Sequence, residues 1–331
     1  MKAIFYNQFG KPEDVLVYGE QEKPVAKPGE VLIKMATSAV NPSDVKKRSG
    51  LTLPQLLDNG PIIPHSDGAG VIEAVGAGVD NTCVGERVWV YNAQHKRAFG
   101  TAAEYLALPL ALAPTLPESA GFDVGACLGI PAMTAHRCVN AEGSVDGKTL
   151  LITGGAGRVG NYAIQFAKLG GAKVIASAGS AQSKEDCLAA GADLVIPHPN
   201  ADTVAEIMDF TEGKGVDHVV EGDFSANIES ILEGIRVGGV ICTYASMSNM
   251  NPTMPFYRMM YRDLTLRLVF LYELPGAAMQ LAIDDINTAL QNDLLIHRVA
   301  KHLPLEQAAQ AHQLIESGHP RGCVILNTPF A

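Results

Sequence analysis

The sequence is short of several things, and each shortage excludes a class of protein. It has one Trp, six Cys and only 18% charged residues among its 331. The cysteines stand at 83, 127, 138, 187, 242 and 323, with no C-x-x-C and no tight cluster. That spacing supplies neither a disulfide framework nor a structural zinc lobe, so a reducing cytoplasm is the expected setting. No run approaches the roughly eighteen consecutive apolar residues of a membrane span, and "MKAIFYNQFG" is too short and polar for a signal peptide. Lys and Arg (25) are outnumbered by Asp and Glu (35), for a formal net charge of −10. Nor is there a basic cluster, so no nucleic-acid partner is expected.

What is abundant is glycine, 33 residues, and apolar side chains, 47% of the chain. This is the composition of an α/β protein with apolar surface for two cores, and the length fits two domains. In the first hundred or so residues, short alternating or β-branched runs ("KAIFY", "EVLIKMATSAV", "GVIEAVGAGV", "ERVWVY", "TAAEYLAL") are separated by Pro, Gly, Asn and Asp. They suit antiparallel, barrel-like packing. "DVGACLGIPAMTAHRCVN" reads as a long helix interrupted at "GIP". From Lys148, strand-like and helix-like segments alternate, from "KTLLITG" and "GRVGNYAIQFAKLGG" to "NIESILEGIRVGG" and "VICTYAS". Such alternation specifies a parallel sheet with right-handed crossovers. The expected fold is α/β: a doubly wound parallel sheet, residues 122–264, inserted between β-rich pieces 1–121 and 265–331 that complete one domain together.

The strongest local signal is Gly155, Gly157 and Gly160 in "LLITGGAGRVGNYAIQFAK". G-x-G-x-x-G directly after a buried strand, opening an amphipathic helix, is the fingerprint of a dinucleotide pyrophosphate loop. An NAD site usually carries an acid at the end of the second strand, about 20 residues on. Here that strand ends "VIASAGSAQSK", with Ser177, Gly179, Ser180 and Lys184 and no acid before Lys184. Two hydroxyls and a Lys suit a 2′-phosphate, so NADPH is the expected cofactor. Arg158, inside the loop, either adds a phosphate contact or is a solvated helix-start cation.

"PIIPHSDGAG" raises a separate question. His65 two residues before Asp67, beside a glycine, is a zinc corner, the relic of one, or a turn.

The order and spacing of "SAVNPSDVKKRSG", "PHSDGAGVIEAVG", "GERVW", "AAEYLAL", "GIPAMTAH", "GGAGRVG", "GVDHVVEG", "RVGGVI" and "SGHPRGCVIL" carry a resemblance. The chain resembles, essentially end to end, the zinc-free quinone oxidoreductase (zeta-crystallin-like) branch of the medium-chain dehydrogenase/reductases. The resemblance implies a Rossmann sheet inserted in a GroES-like domain. Zinc-dependent members place Cys at Asn41, a His–Glu pair at Ser66 and Asp67, and Cys near Ile130. The implied chemistry is therefore metal-free hydride transfer from NADPH to a quinone or α,β-unsaturated carbonyl. Position by position, Asn41 and Thr134 are implied beside the nicotinamide as catalytic residues, and Gly157, Arg158, Val159 and Gly160 at the pyrophosphate. Gly179 and His198 would border the adenosine half. Asn227, Tyr244, Ala245 and Ser246 follow the fourth and fifth strands, and Val269, Phe270 and Leu271 would meet the carboxamide. Each has an alternative: His198 shapes a proline-flanked loop, Thr134 bonds its own helix, Asn41 is a turn residue. Lys46 stands where many relatives have a Tyr that closes over the cofactor. Alternative functions are an enone or 2-alkenal reductase and a low-turnover, crystallin-like NADPH binder. Relatives commonly form homodimers through the sheet edge, where "VGGVICTYAS" would lie.

Overall fold

The run "KTLLITG" forms the strand Thr149–Ile152 at the centre of a six-stranded sheet in the computed structural model, which describes residues 1–58, 60–198, 202–318 and 320–331. Leu150, Leu151 and Ile152 are all buried, as a central parallel strand covered on both faces requires. The strands lie in the order Leu194–Pro197, Lys173–Ala178, Thr149–Ile152, Val216–Glu221, Ile235–Thr243, Thr265–Leu268, every pair parallel. In chain order this is 3-2-1-4-5-6, the doubly wound arrangement whose ligand crevice opens at the C-terminal ends of strands one and four. Leu151, Ile175, Ile196, Val219 and Ile241 from the strands pack with Ile207, Ile228, Ile231 and Leu232 from the helices. Each such side chain contributes about 1.5–3 kcal/mol on burial.

Contacts divide the chain into Met1–Ile130 with Ile283–Ala331, and Pro131–Ala282. The sequence expectation drew the divisions at 121 and 264, and two local reasons account for the difference. The helix Phe122–Ala126 packs on strands Glu30–Val40, Asp67–Val75 and Arg87–Val90, so it stays with the first unit. Thr265–Leu268 pairs with Ile235–Thr243 and becomes the sixth strand of the parallel sheet instead of opening the last β-rich piece. "VGGVICTYAS" is consequently not at the edge; Thr265–Leu268 is.

In the first unit, Glu30–Val40 pairs antiparallel with Asp67–Val75, Tyr105–Pro109 and Cys323–Asn327. Val299–Pro304 joins in parallel, on Cys323–Asn327. Val31, Ile33, Met35, Ile72, Val88, Leu106 and Leu108 form its core. "NPSDVKKRSG" carries every helix signal in order. Asn41 caps Pro42–Ser49 in a capping box with Asp44, Pro42 opens it, Lys46, Lys47 and Arg48 end it, and Gly50 closes it at φ 79°. The expected break at "GIP" is present: Leu128–Ala132 is a π-helical turn around Pro131 between Phe122–Ala126 and Met133–Asn140. Among the described residues no helix is long and apolar enough to cross a membrane.

Candidate nucleotide site and buried acid cluster

Strand Thr149–Ile152 runs through Thr153–Gly157 into the helix Arg158–Leu169. Gly154 turns at φ 58°, and the loop closes through Gly157 N–H to Gly154 O (2.8 Å) and Gly155 N–H to Ser177 O (2.9 Å). A Cβ on Gly160 would stand 2.4 Å from Gly154 O, and one on Gly155 would stand 2.8 Å from Ala176 Cβ. Only glycine fits at either place. Gly157 caps the helix without a side-chain hydrogen bond, so the turn Arg158–Val159–Gly160 presents the uncapped positive end of the helix dipole. This cradle is chemically suited to a phosphate group.

The second strand delivers its polar residues unequally. Ser177 is buried and its hydroxyl accepts from Gly154 N–H at 3.0 Å, holding the loop in place. Ser180 caps the helix Ala181–Ala189, accepting from Ser183 N–H at 3.1 Å. Gly179, Ser180 and Lys184 are exposed, and Lys184 has no ionic partner among the described residues. His198 is exposed beside Gly179, its N–H donating to Ala178 O at 2.9 Å; the flanking Pro199 lies outside the described residues.

Behind the fourth and fifth strands, Asn227 Nδ2 donates to Glu221 Oε1 at 2.9 Å. Tyr244 N–H donates to Glu221 O at 3.3 Å, and Ala245 O accepts from Phe224 N–H at 3.0 Å. Ser246 accepts from Ser225 N–H at 3.2 Å and donates to Asn249 O at 2.7 Å. Val269 and Leu271 are buried while Phe270 is exposed. Thr134 is almost buried at the start of Met133–Asn140, and its hydroxyl bonds neither its own helix nor any other described residue. Sequence reasoning missed Glu221; its signal was an acid ending the otherwise apolar run "HVVE" at strand four.

In the first unit, Asn41 and Asp67 meet. Asn41 is 1% exposed; its side chain caps the helix and its Nδ2 donates to Asp67 Oδ2 at 2.8 Å. The same oxygen accepts from Ile130 N–H at 2.8 Å. Burial and, secondarily, Asp44 push the Asp67 carboxyl well above the usual carboxylate range, against these two hydrogen bonds. Lys46 is half-buried, which lowers its ammonium pKa, and it has no ionic partner among the described residues.

His65 sits at φ 79° in the left-handed region, a conformation that favours glycine. It joins a buried hydrogen-bond chain: His312 Nε2 to His65 Nε2 (2.9 Å), His65 Nδ1 to Ser38 Oγ (2.9 Å), and Ser38 Oγ to Thr101 Oγ1 (2.7 Å). Thr101 donates to Asp67 O at 2.7 Å, and that one direction fixes the others. Thr101 accepts from Ser38, Ser38 from His65 Nδ1–H, and His65 Nε2 from His312 Nε2–H. The "PIIPHSDGAG" histidine therefore uses both ring nitrogens within this chain. Among the described residues no group of three or more His, Cys, Asp or Glu is placed to hold a metal ion.

The family profiles "Alcohol dehydrogenase GroES-like domain" and "Zinc-binding dehydrogenase" match residues 27–118 and 159–288. They bear out a Rossmann sheet inserted in a GroES-like domain. Rat quinone oxidoreductase is 30% identical over 98% of this chain and 97% of its own. The tomato 2-methylene-furan-3-one reductase is 34% identical over 60% of this chain and 52% of its own. A mycobacterial protein solved with NADPH superposes with a TM-score of 0.88 at 27% identity, over 99% of this chain and 100% of that one.

Proposed function

Since this chain belongs to the zinc-independent quinone-oxidoreductase branch of the medium-chain dehydrogenase/reductases, we propose that it reduces a quinone-type acceptor with NADPH. The observation that carries the cofactor half is the glycine cradle at Gly155, Gly157 and Gly160, with an uncapped helix behind it. When bound, NADPH supplies the hydride; the chain's residues bind, orient and shield. Arg158, Val159 and Gly160 are assigned to the pyrophosphate, and Gly179, Ser180, Lys184 and His198 to the 2′-phosphate and adenosine end. Asn227, Tyr244, Ala245, Ser246 and Val269–Leu271 are assigned to the ribose and carboxamide half.

Thr134, whose hydroxyl has no partner among the described residues, is proposed to hydrogen-bond the nicotinamide. Asn41 is proposed as a second nicotinamide contact, oriented by Asp67 and the helix cap. The half-buried, unpaired Lys46 suits an anionic group, the cofactor's or the acceptor's. Substrates fit this reading if they accept hydride without a Lewis acid, as quinones do; the likeness to the tomato reductase keeps enones as the second reading. The test is steady-state NADPH consumption with 1,4-benzoquinone, 9,10-phenanthrenequinone and trans-2-alkenals, with and without a chelator. No turnover on any acceptor despite NADPH binding leaves only the low-turnover binder. Turnover abolished by the chelator overturns the metal-free reading.

Lys184→Glu is expected to weaken NADPH about tenfold or more while changing NADH little, because a charge-assisted phosphate contact becomes a repulsion. Titrating both nucleotides by fluorescence checks this, and equal losses remove Lys184 from the 2′-phosphate. A homodimer through the outer strand Thr265–Leu268 is also proposed. That edge has one neighbour, and Phe256, Tyr257, Tyr261, Leu268 and Phe270 around it are more than half exposed, a combination of open edge and apolar patch that calls for cover. Light scattering on wild type and Tyr257→Glu is expected to give a dimer and a monomer; a monomeric wild type ends the idea. A reducing, cytoplasmic setting is proposed from the six free cysteines.

A further inference from the structure

The ends of strands one and four, where the crevice of a doubly wound sheet opens, hold two acids in opposite circumstances. Glu221 is the last residue of Val216–Glu221 and is fully buried. Its Oε1 accepts from Asn227 Nδ2 (2.9 Å) and from Asp223 N–H, while its Oε2 has no hydrogen-bond partner among the described residues. No cation bonds it. Two residues on, Asp223 is only partly buried; it clasps the loop after strand five through Ser248 N–H (3.0 Å) and the Ser248 hydroxyl, and it accepts from the hydroxyl of Ser225 in its own following helix (3.1 Å).

The neighbourhood is built closely around Glu221. Thr153, following strand one, accepts from Gly222 N–H at 3.0 Å. A Cβ on Gly222 would come within 2.8 Å of the Tyr244 hydroxyl. Glycine at 222 thus lets the Tyr244 hydroxyl lie over the strand end, near Thr153 and next to the glycine loop.

We propose that Glu221 is a positioning residue of the nucleotide site: as a neutral carboxylic acid it gathers Asn227 and the chain after strand four while placing no negative charge beside a bound dinucleotide. This rests on the NADPH reading above. A fully buried carboxylate with one bare oxygen and no counter-ion is strongly disfavoured, whereas the neutral acid is not. Of the ionisable groups facing it, Asp223 pushes the same way and Tyr244 is neutral. Burial raises its pKa most, and the nearby Asp223 adds to this, against the hydrogen bonds from Asn227 and Asp223 N–H. Tyr244 is held in its protonated form, chiefly by burial, and the Arg158 charge acts on it in the opposite sense. Burial opposes ionisation of Asp223 as well, but hydrogen bonds from Ser248 and Ser225 prevail and keep it ionised. Two acids driven apart in this way take different roles: Asp223 fastens a loop, and Glu221 orders the crevice without charging it.

The test is an infrared difference spectrum of wild type minus Glu221→Gln at neutral pH, together with NADPH affinities of Glu221→Ala and Glu221→Gln. The expected results are a protonated-carboxyl band lost in the Gln variant, about a five- to tenfold weakening in the Ala variant, and substantial rescue by Gln, which retains an acceptor for Asn227. An ionised-carboxylate band at this position, or a Gln variant no better than Ala, overturns the proposal. The spectrum needs no nucleotide, so a wild type that fails to bind NADPH refutes the cofactor reading separately.

Discussion

Gly160→Ala is expected to cost more than a hundredfold in NADPH affinity and to destabilise the fold by about 1–3 kcal/mol. The added Cβ would stand 2.4 Å from Gly154 O and 2.9 Å from Gly155 Cα. Both are backbone atoms, so no rotamer change relieves the clash; the loop must move away from the helix. That displacement separates the first-turn N–H groups from the loop that completes the cradle. Losing two charge-assisted hydrogen bonds at about 1.5–3 kcal/mol each accounts for the expected affinity change. The three glycines are not equivalent. At Gly155 the added atom meets side chains, Ala176 Cβ at 2.8 Å and Cys187 Sγ at 2.9 Å, and at Gly157 only Gly154 O at 3.1 Å. The loss of thermal stability should follow Gly160, then Gly155, then Gly157, read by thermal unfolding beside NADPH titration. A Gly160→Ala protein that binds within about threefold of wild type would mean the loop is not the phosphate site.

The glycine loop was legible in the sequence because close backbone approach leaves no alternative to glycine, and spacing records that directly. The helix Pro42–Ser49 was not expected in this β-rich stretch, although its cap, proline, basic end and closing glycine are all local signals. The sixth strand was not legible. "TLRL" is too short to declare which sheet it joins, and its place depends on pairing with a strand more than twenty residues earlier. Asn41 shows a different limit. The resemblance implies it beside the nicotinamide, and nothing local in the sequence announces that its Nδ2 also donates to Asp67, 26 residues away. His312 lay beyond sequence reasoning altogether, since nothing near it in the chain announces a partner 247 residues away.

That pair yields the strongest expectation about acid. Burial, with Lys47 adding to it, pushes His65 down to about 3, from an ordinary value of 6.5. Below pH about 6.5 the unfolded chain takes up a proton that the folded one refuses, so the contribution of His65 is full above that pH and falls as pH falls. Between about pH 6.5 and 5 this amounts to about 2 kcal/mol. His312 is lowered by burial in the same direction, and burial takes His218 and His297 down to about 4. The raised carboxyls of Asp67 and Glu221 act with the opposite sign, their contributions fading as pH rises. The wild-type curve alone therefore mixes two slopes, and the informative quantity is a difference. His65→Asn tolerates the left-handed backbone but has no ring to titrate. Near pH 7 it is expected to be less stable by about 1–3 kcal/mol, because His312 Nε2–H and Ser38 lose their partner. By about pH 5 that deficit should shrink by about 2 kcal/mol. Urea unfolding of both proteins at several pH values reads the difference, and a deficit constant across the range would show that His65 is not held neutral by the fold.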